Sequence, residues 1–284
     1  MHIGTNLFGI GKYIADDPAI AAQQIKAAGF SSVEPMLMFF SKLPQQVQAM
    51  GKERVRMGLG KQKNSIWMDD EAAHYIELYR SAGLEVVSAQ IFGFANKMIP
   101  DAVLAEALVQ LGKENGISHF VVSGKAASIE GAEKIVPSMN TIAKVLKENG
   151  MQFVYHNHEM EVQRHNEMTA LEYIMDHCPD MGLELDVGWV QFAGEYPVNW
   201  IKKYQDRMVL LHLKDICEGA SEENKATCYR AIGEGCIQLD AIMRAAQDCP
   251  IIEYGIIIDQ DDANTDFFEE SRRGIANITV NRKE

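Results

Sequence analysis

Apolar residues are distributed along this chain in two alternating modes, short runs that are apolar or β-branched nearly throughout and longer stretches in which they return with a helical period. Residues 2–7 form the first run. Asp17 and Pro18 then stand where an N-cap and a first helical residue belong, ahead of an Ala-rich amphipathic stretch closed by Gly29. Residues 32–36 repeat the strand signal, and after a long polar excursion the helical stretch 69–82 stops at Gly83, so the second unit carries the largest insertion, 38–68. Residues 84–92 and 118–123 predict strands three and four. Their helices run from Pro100 and Asp101 to near Gly116 and over 128–149, where Pro137 predicts a break or kink. Strands five to eight fall at 152–157, 182–187, 208–214 and 252–259, with helices at 169–177, 199–206, 237–248 and 265–278.

Strict alternation of strand and helix, with strands apolar on both faces, means a parallel sheet covered on both sides. Eight such units close more naturally as a barrel than as an open sheet, so the expected fold is an α/β, (β/α)8 barrel forming a single domain over 1–284. No linker or low-complexity tract interrupts it.

Composition changes this picture little. At 47% hydrophobic and 24% charged, the chain has ordinary globular proportions, and no run approaches the ~18 to 20 apolar residues of a membrane helix. Forty acidic against 27 basic side chains give a net charge of −13, which repels a phosphate backbone and points away from nucleic acid. The one basic concentration, Lys52, Arg54, Arg56, Lys61 and Lys63, reads as a solvated face. Five cysteines at 178, 217, 228, 236 and 249 have no CxxC spacing, and Met1, His2 and Ile3 lead straight into an apolar segment with no cationic n-region; reduced thiols in a cytoplasm are expected.

In a β/α barrel the loops after the strands share one face, and catalytic groups gather there. Strand five ends in His156, Asn157, His158, Glu159 and Glu161; strand six in Asp186 and Trp189; strand seven in His212, Lys214 and Asp215; strand eight in Asp259, Gln260 and Asp261. Side chains alternate along a strand, so His156 and His158 share a face, as do His212 and Lys214, and Asp259 and Asp261. Imidazole and carboxylate together suit Mn, Mg, Co, Fe or Zn, and three or four protein ligands would leave room for a substrate oxygen. His2, His74, His119, His165 and His177 lack this context and read as structural or solvated; Met36, Met38, Met57 and Met68 read as packing or loop groups.

The runs VYHNHEME at 154–161, LELDVGW at 183–189 followed by Ala193 and Gly194, LLHLKD at 210–215, IGEG at 232–235 and IDQD at 258–261, in this order, resemble the sugar phosphate isomerase/epimerase superfamily, the xylose isomerase-like TIM barrels that also include inosose dehydratase and endonuclease IV. The resemblance spans nearly the whole chain. It implies a divalent ion held by strand-five, strand-six, strand-seven and strand-eight side chains, with Asp186 and His212 in the second and third positions. Glu34 fits the strand-two group and Gln90 the strand-three group beside the substrate, with Trp189 in the strand-six motif. Two departures stand out: His156 occupies the strand-five ligand position where many relatives have Glu, with Glu161 able to reach back instead, and Asp259 stands where they have Glu. Both changes weaken a symmetrical two-base epimerisation and leave His156, His158, Lys214, Glu161 or Asp259 as acid-base groups.

The implied activity is metal-dependent isomerisation or epimerisation of a sugar, keto-sugar or sugar phosphate by proton transfer next to a carbonyl, through an enediolate. β-Elimination of the inosose dehydratase type is the alternative in the same barrel. An endonuclease IV-like DNA repair protein would need more strand-end histidines and a basic groove, and a metal-poor binding module is made plausible by the His156 and Asp259 exchanges. The expected partner is a small sugar-like molecule, with no nucleic acid and no membrane, and a homo-oligomer is possible.

Overall fold

A computed structural model of the chain describes residues 2–60, 64–164 and 167–280. The expectations for Lys61, Lys63 and His165 fall outside the described residues.

Eight barrel positions appear in chain order: Gly4–Asn6; Ser32–Glu34, continued past Pro35 by Met36–Met38; Ser88–Ile91; His119–Val122; Gln152–His156; Gly182–Asp186; Met208–Leu213; and Ile256–Ile258. Each pairs in parallel with its neighbour. The first strand bonds to both the second (Gly4 opposite Ser32) and the eighth (Gly4 opposite Ile257), and Met36 opposite Gln90 joins the second to the third, so the sheet closes on itself. This is the expected (β/α)8 barrel.

Closure divides the buried residues into two compartments. Outward-facing strand side chains meet the helices in the main core, where Phe30, Phe120, Phe153 and Tyr155 are almost wholly enclosed. Inward-facing ones stack in layers inside the barrel, and the lower layer is apolar: Val121, Val154, Leu210 and Ile257 cluster there with Val209. The helices start and stop largely where local chemistry dictates. Asp17 accepts from the backbone N–H groups of Ala19 and Ile20 with Pro18 at the first helical position, and Ser128 accepts from Gly131.

Element bounds shift by a few residues, the eighth strand being confined to Ile256–Ile258, and three further departures from the sequence reading stand out. Ile129–Glu148 is one uninterrupted helix despite Pro137. The lost hydrogen bond is tolerated because the helix buries Ile135 before the proline and Met139, Ile142, Ala143 and Leu146 after it, so both halves are held to the same core. The first strand ends at Asn6, whose side chain caps a short helix, Leu7–Ile10. The insertion is structured: it contributes the helices Gln45–Gln48 and Lys52–Gly58 and a strand, Ile66–Met68, parallel to Met36–Met38. Met38, Phe40, Leu43, Ile66 and Met68 form a satellite core there, Met57 is 72% exposed, and Lys52 and Arg56 pair with Asp70 and Glu71.

Candidate active site

Above the apolar layer the barrel interior turns polar. Strand register places Asp186 opposite His212 and His156 opposite Glu184, and the period of two then points Glu34, Glu184, Asp186, His212 and Lys214 to the same interior. All five are fully or almost fully buried.

Two groups of ligand-type atoms result. One atom each from His156, Asp186, His212 and Asp259 lies within 4.8 Å of the others, and Glu34, Glu184 and His212 form a second such set sharing the histidine. His212 Nε2 lies 3.2 Å from both Glu34 Oε1 and Glu184 Oε1, and its Nδ1 lies 3.4 Å from Asp259 Oδ2. Glu34 is fixed from its other side by Asn6 Nδ2 at 2.9 Å and Ser88 Oγ at 2.8 Å. His156 Nδ1 meets Glu184 Oε2 at 2.9 Å, and Gln90 Nε2 donates to the same oxygen at 3.3 Å.

Lys214 crosses the top of this cluster. Its ammonium is 3.3 Å from Asp186 Oδ2, 3.0 Å from Asp259 Oδ2 and 2.8 Å from Asp261 Oδ2, and 4.3 Å above the ring of Trp189. Gly188 makes that course possible: a Cβ there would come within 2.5 Å of Lys214 Cβ and 2.7 Å of its carbonyl oxygen. Asn157 ties the ends of strands five and six together, accepting from Asp186 N at 3.0 Å and donating to Asp186 O at 3.3 Å.

Crowded buried charge moves the titrations apart. Burial pushes the Asp186 carboxyl up, to about 7, with the neighbouring Asp259 charge adding to it. Burial acts the same way on Asp259, but Lys214 and His212 outweigh it and hold that carboxyl well below its ordinary range. Glu34 rises to about 6 through burial and the charge of Glu184. His212 is raised well above its ordinary value, since Glu184 and Glu34 overcome the burial that opposes its charge. His156 and His158 go the other way, to about 3, because burial and nearby positive charge disfavour the imidazolium.

The expected site residues therefore fall into groups. His156, Asp186, His212 and Asp259 converge. Glu34 joins them from below, and Gln90, Trp189, His158, Lys214 and Asp259 line a cavity of about 260 Å³ at the barrel mouth. His158 Nδ1 lies 3.0 Å from Ser123 Oγ. Glu161 sits apart from the cavity wall. Its oxygens take the Tyr155 hydroxyl at 3.0 Å and the backbone N–H groups of Ala126 and His158 at 2.9 Å each, capping the short helix Glu159–Val162. Asp215 is likewise a backbone clamp, accepting from Gly233, Gly235 and Ile237. A larger depression of about 750 Å³ between the helices Pro18–Ala27 and Ala72–Ser81 is open to solvent and holds no convergent buried polar groups.

Sequence reasoning missed Glu184. The signal was present, since it lies two residues before Asp186 on the same face, a lone charge between Leu183 and Leu185 in a strand buried throughout.

Residues 22–276 match the xylose isomerase-like TIM barrel family. The chain belongs to that family. Among proteins similar to this chain, inosose dehydratase from Bacillus thuringiensis (strain Al Hakam) is 31% identical over 121 residues, which cover 38% of this chain and 40% of that enzyme, so less than half of the relative's length is spanned. A sugar phosphate isomerase/epimerase from Parabacteroides distasonis superposes with a TM-score of 0.68 at 18% identity, covering 97% of this chain and 92% of the other. An IolI protein with a bound zinc atom superposes at 0.61 with 11% identity, covering 99% and 96%. At these identities the two structures bear on the fold of this xylose isomerase-like barrel and not on its chemistry. No helix among the described residues is long and apolar enough to cross a membrane.

Proposed function

We propose that this chain is a divalent-metal-dependent enzyme that transfers a proton next to a carbonyl of a sugar, keto-sugar or sugar phosphate, as an isomerase or epimerase. One observation carries the reading: four strands in succession deliver His156, Asp186, His212 and Asp259 to a common point. Asp186 Oδ2 and both ring nitrogens of His212 are buried there with no well-aligned hydrogen bond, held only by ion-pair contacts to Lys214, Glu34, Glu184 and Asp259. Such a concentration of buried ligand-type atoms without aligned hydrogen bonds suits a site built for a further ligand. Mixed imidazole and carboxylate donors fit Mn, Mg, Co, Fe or Zn, and the zinc bound by the structurally similar IolI protein is in keeping with this. These four side chains would hold the ion, which would supply Lewis-acid polarisation of a carbonyl and its neighbouring hydroxyl.

The remaining chemistry belongs to the chain's own groups. Lys214 stays charged between three carboxylates and places its ammonium at the cavity wall, where it stabilises an oxygen that gains negative charge. His158 is neutral at physiological pH and tethered through one ring nitrogen to Ser123, which leaves the other to take or return a proton. Trp189 offers the flat apolar wall against which a sugar face packs. Gln90 and Glu34 support the floor. Glu161, with its oxygens already engaged, is assigned a structural role.

A second reading, β-elimination, is favoured by the stretch of similarity to inosose dehydratase and by the unequal acid-base groups of the site, a neutral histidine and an ammonium. Both readings are tested together by incubating the Mn-loaded protein with a panel of keto-sugars and keto-inositols in deuterated water. Deuterium appearing beside the carbonyl with the carbon skeleton's composition unchanged supports isomerisation or epimerisation; loss of one water selects elimination. No exchange and no product from a protein that retains its ion would refute the enzyme reading. Five free cysteines accord with a cytoplasmic setting.

A further inference from the structure

The two sides of the mouth cavity differ in kind. Where strands five to eight end, its wall is polar. Where the first three strands end, it is formed mainly by Phe8, Met36, Ile91, Phe92 and Phe94, with Asn6, Gln90 and Asn96 as its polar members. Phe8, Met36 and Phe92 are only partly buried, and they pack from behind on the satellite core that the insertion supplies. The barrel closes through strands outside that insertion, so its apolar residues serve to brace this one wall. A second, mainly apolar hollow of about 50 Å³ shares Ile91, Phe92, Gly93 and Phe94 with the cavity and is otherwise lined by Leu43, Met98 and Leu104, with Lys97 and Asp101 among its other residues.

Apart from the ion proposed above, the fixed charges around the cavity offer an anion little. Asp259 and Asp261 face it, and the Lys214 ammonium is already shared among three carboxylates. Lys125 is the other ammonium on the wall, at an exposed rim position.

We propose that the substrate is an uncharged sugar or keto-sugar carrying an apolar, ring-sized substituent, a glycoside and not a sugar phosphate, with the sugar over the polar half of the cavity and the substituent on Phe8, Phe92 and Phe94. The inference rests on the sugar-directed reading of the polar half but uses different side chains. The partly exposed faces of Phe8 and Phe92, with buried Phe94 beside them, gain by being covered with apolar surface, and they offer a phosphate nothing.

The test is calorimetric titration of the Mn-loaded protein with matched methyl and phenyl β-D-glucopyranosides, galactopyranosides and xylopyranosides, with D-glucose 6-phosphate as the charged comparison. In at least one pair the phenyl glycoside binds about tenfold or more tightly than the methyl glycoside. Phe92→Ala removes that gain, and Phe92→Leu, which keeps apolar surface, retains most of it, both with unchanged Mn stoichiometry. Equal behaviour of the phenyl and methyl members, absence of binding by both included, overturns the proposal, as does tighter binding of the 6-phosphate. Should Mn fail to bind while the phenyl preference persists, the metal reading falls and this one stands; Mn binding without the preference has the converse meaning.

Discussion

Glu161 and Asp186 are both buried acids at the ends of adjacent strands, and they differ in what their oxygens do. Glu161 is saturated by a tyrosine hydroxyl and two backbone N–H groups. Asp186 gives one oxygen to Trp189 N at 2.9 Å and leaves the other with only the Lys214 ammonium at 3.3 Å, beside a histidine whose nitrogens meet carboxylates without a well-aligned hydrogen bond. Burial raises the pKa of both carboxyls, so neither burial nor titration separates them. The difference lies in whether the second oxygen is fixed by aligned hydrogen bonds or only by neighbouring charge. A saturated buried carboxylate holds the fold together; an under-used cluster of them stores capacity for a cation or a substrate.

The largest effect that could break this comparison is at Asp186. Asp186→Ala is expected to lower bound Mn from about one equivalent to near zero and to reduce turnover by roughly a thousandfold or more, with the circular dichroism spectrum unchanged. Full ion content in the variant would mean that the unmatched atoms mark something else. Glu161→Ala should behave oppositely. It strands a hydroxyl and two N–H donors in the interior, costing about 3 kcal/mol, or roughly 6–12 °C in Tm, while Mn stoichiometry holds. Glu161→Gln recovers about half of that loss, and denaturant titration measures both. A Glu161→Ala protein that is stable but metal-free would reverse the two assignments.

A third carboxylate sharpens the contrast because it is saturated by charges. Burial works against ionised Glu172, but Lys203 at 2.5 Å, the Thr169 N–H at 2.7 Å and Arg164 at 3.2 Å prevail and hold it down at about 2. A carboxyl whose folded value lies below its ordinary 4.5 adds stability above that pH and loses it as pH falls from about 4.5 towards 2. Arg164 and Lys203 are 41% and 49% exposed, so solvent screening reduces the contribution to about 1–2 kcal/mol. Glu172→Gln should lose that amount at pH 7, and the difference from the parent chain should vanish towards pH 2. A gap that stays constant over that range in urea titrations would assign the effect to shape and not to charge.

Much of the candidate site was legible because a strand has a period of two. That period alone set His212 with Lys214, and Asp259 with Asp261, and it would have set Glu184 with Asp186 had a charge flanked by leucines been given weight. What stayed hidden were relations across the barrel. Whether His156 or Glu161 turns towards Asp186 depends on the short helix that captures Glu161, and that helix is too brief to leave a periodic signature. The contact of Glu34 with His212 joins the second strand to the seventh, which touch only through the hollow of the closed sheet.

The amino-acid order by itself determined the alternation of strand and helix, the capping residues that start the helices, and which strand ends carry imidazole and carboxylate, because these follow from neighbours a few residues apart. Only the tertiary structure decided which of those groups share a cation-sized space, which are consumed by hydrogen bonds, and what the insertion packs against. Distances between residues remote in sequence are set by barrel closure and side-chain packing, and no local pattern encodes them.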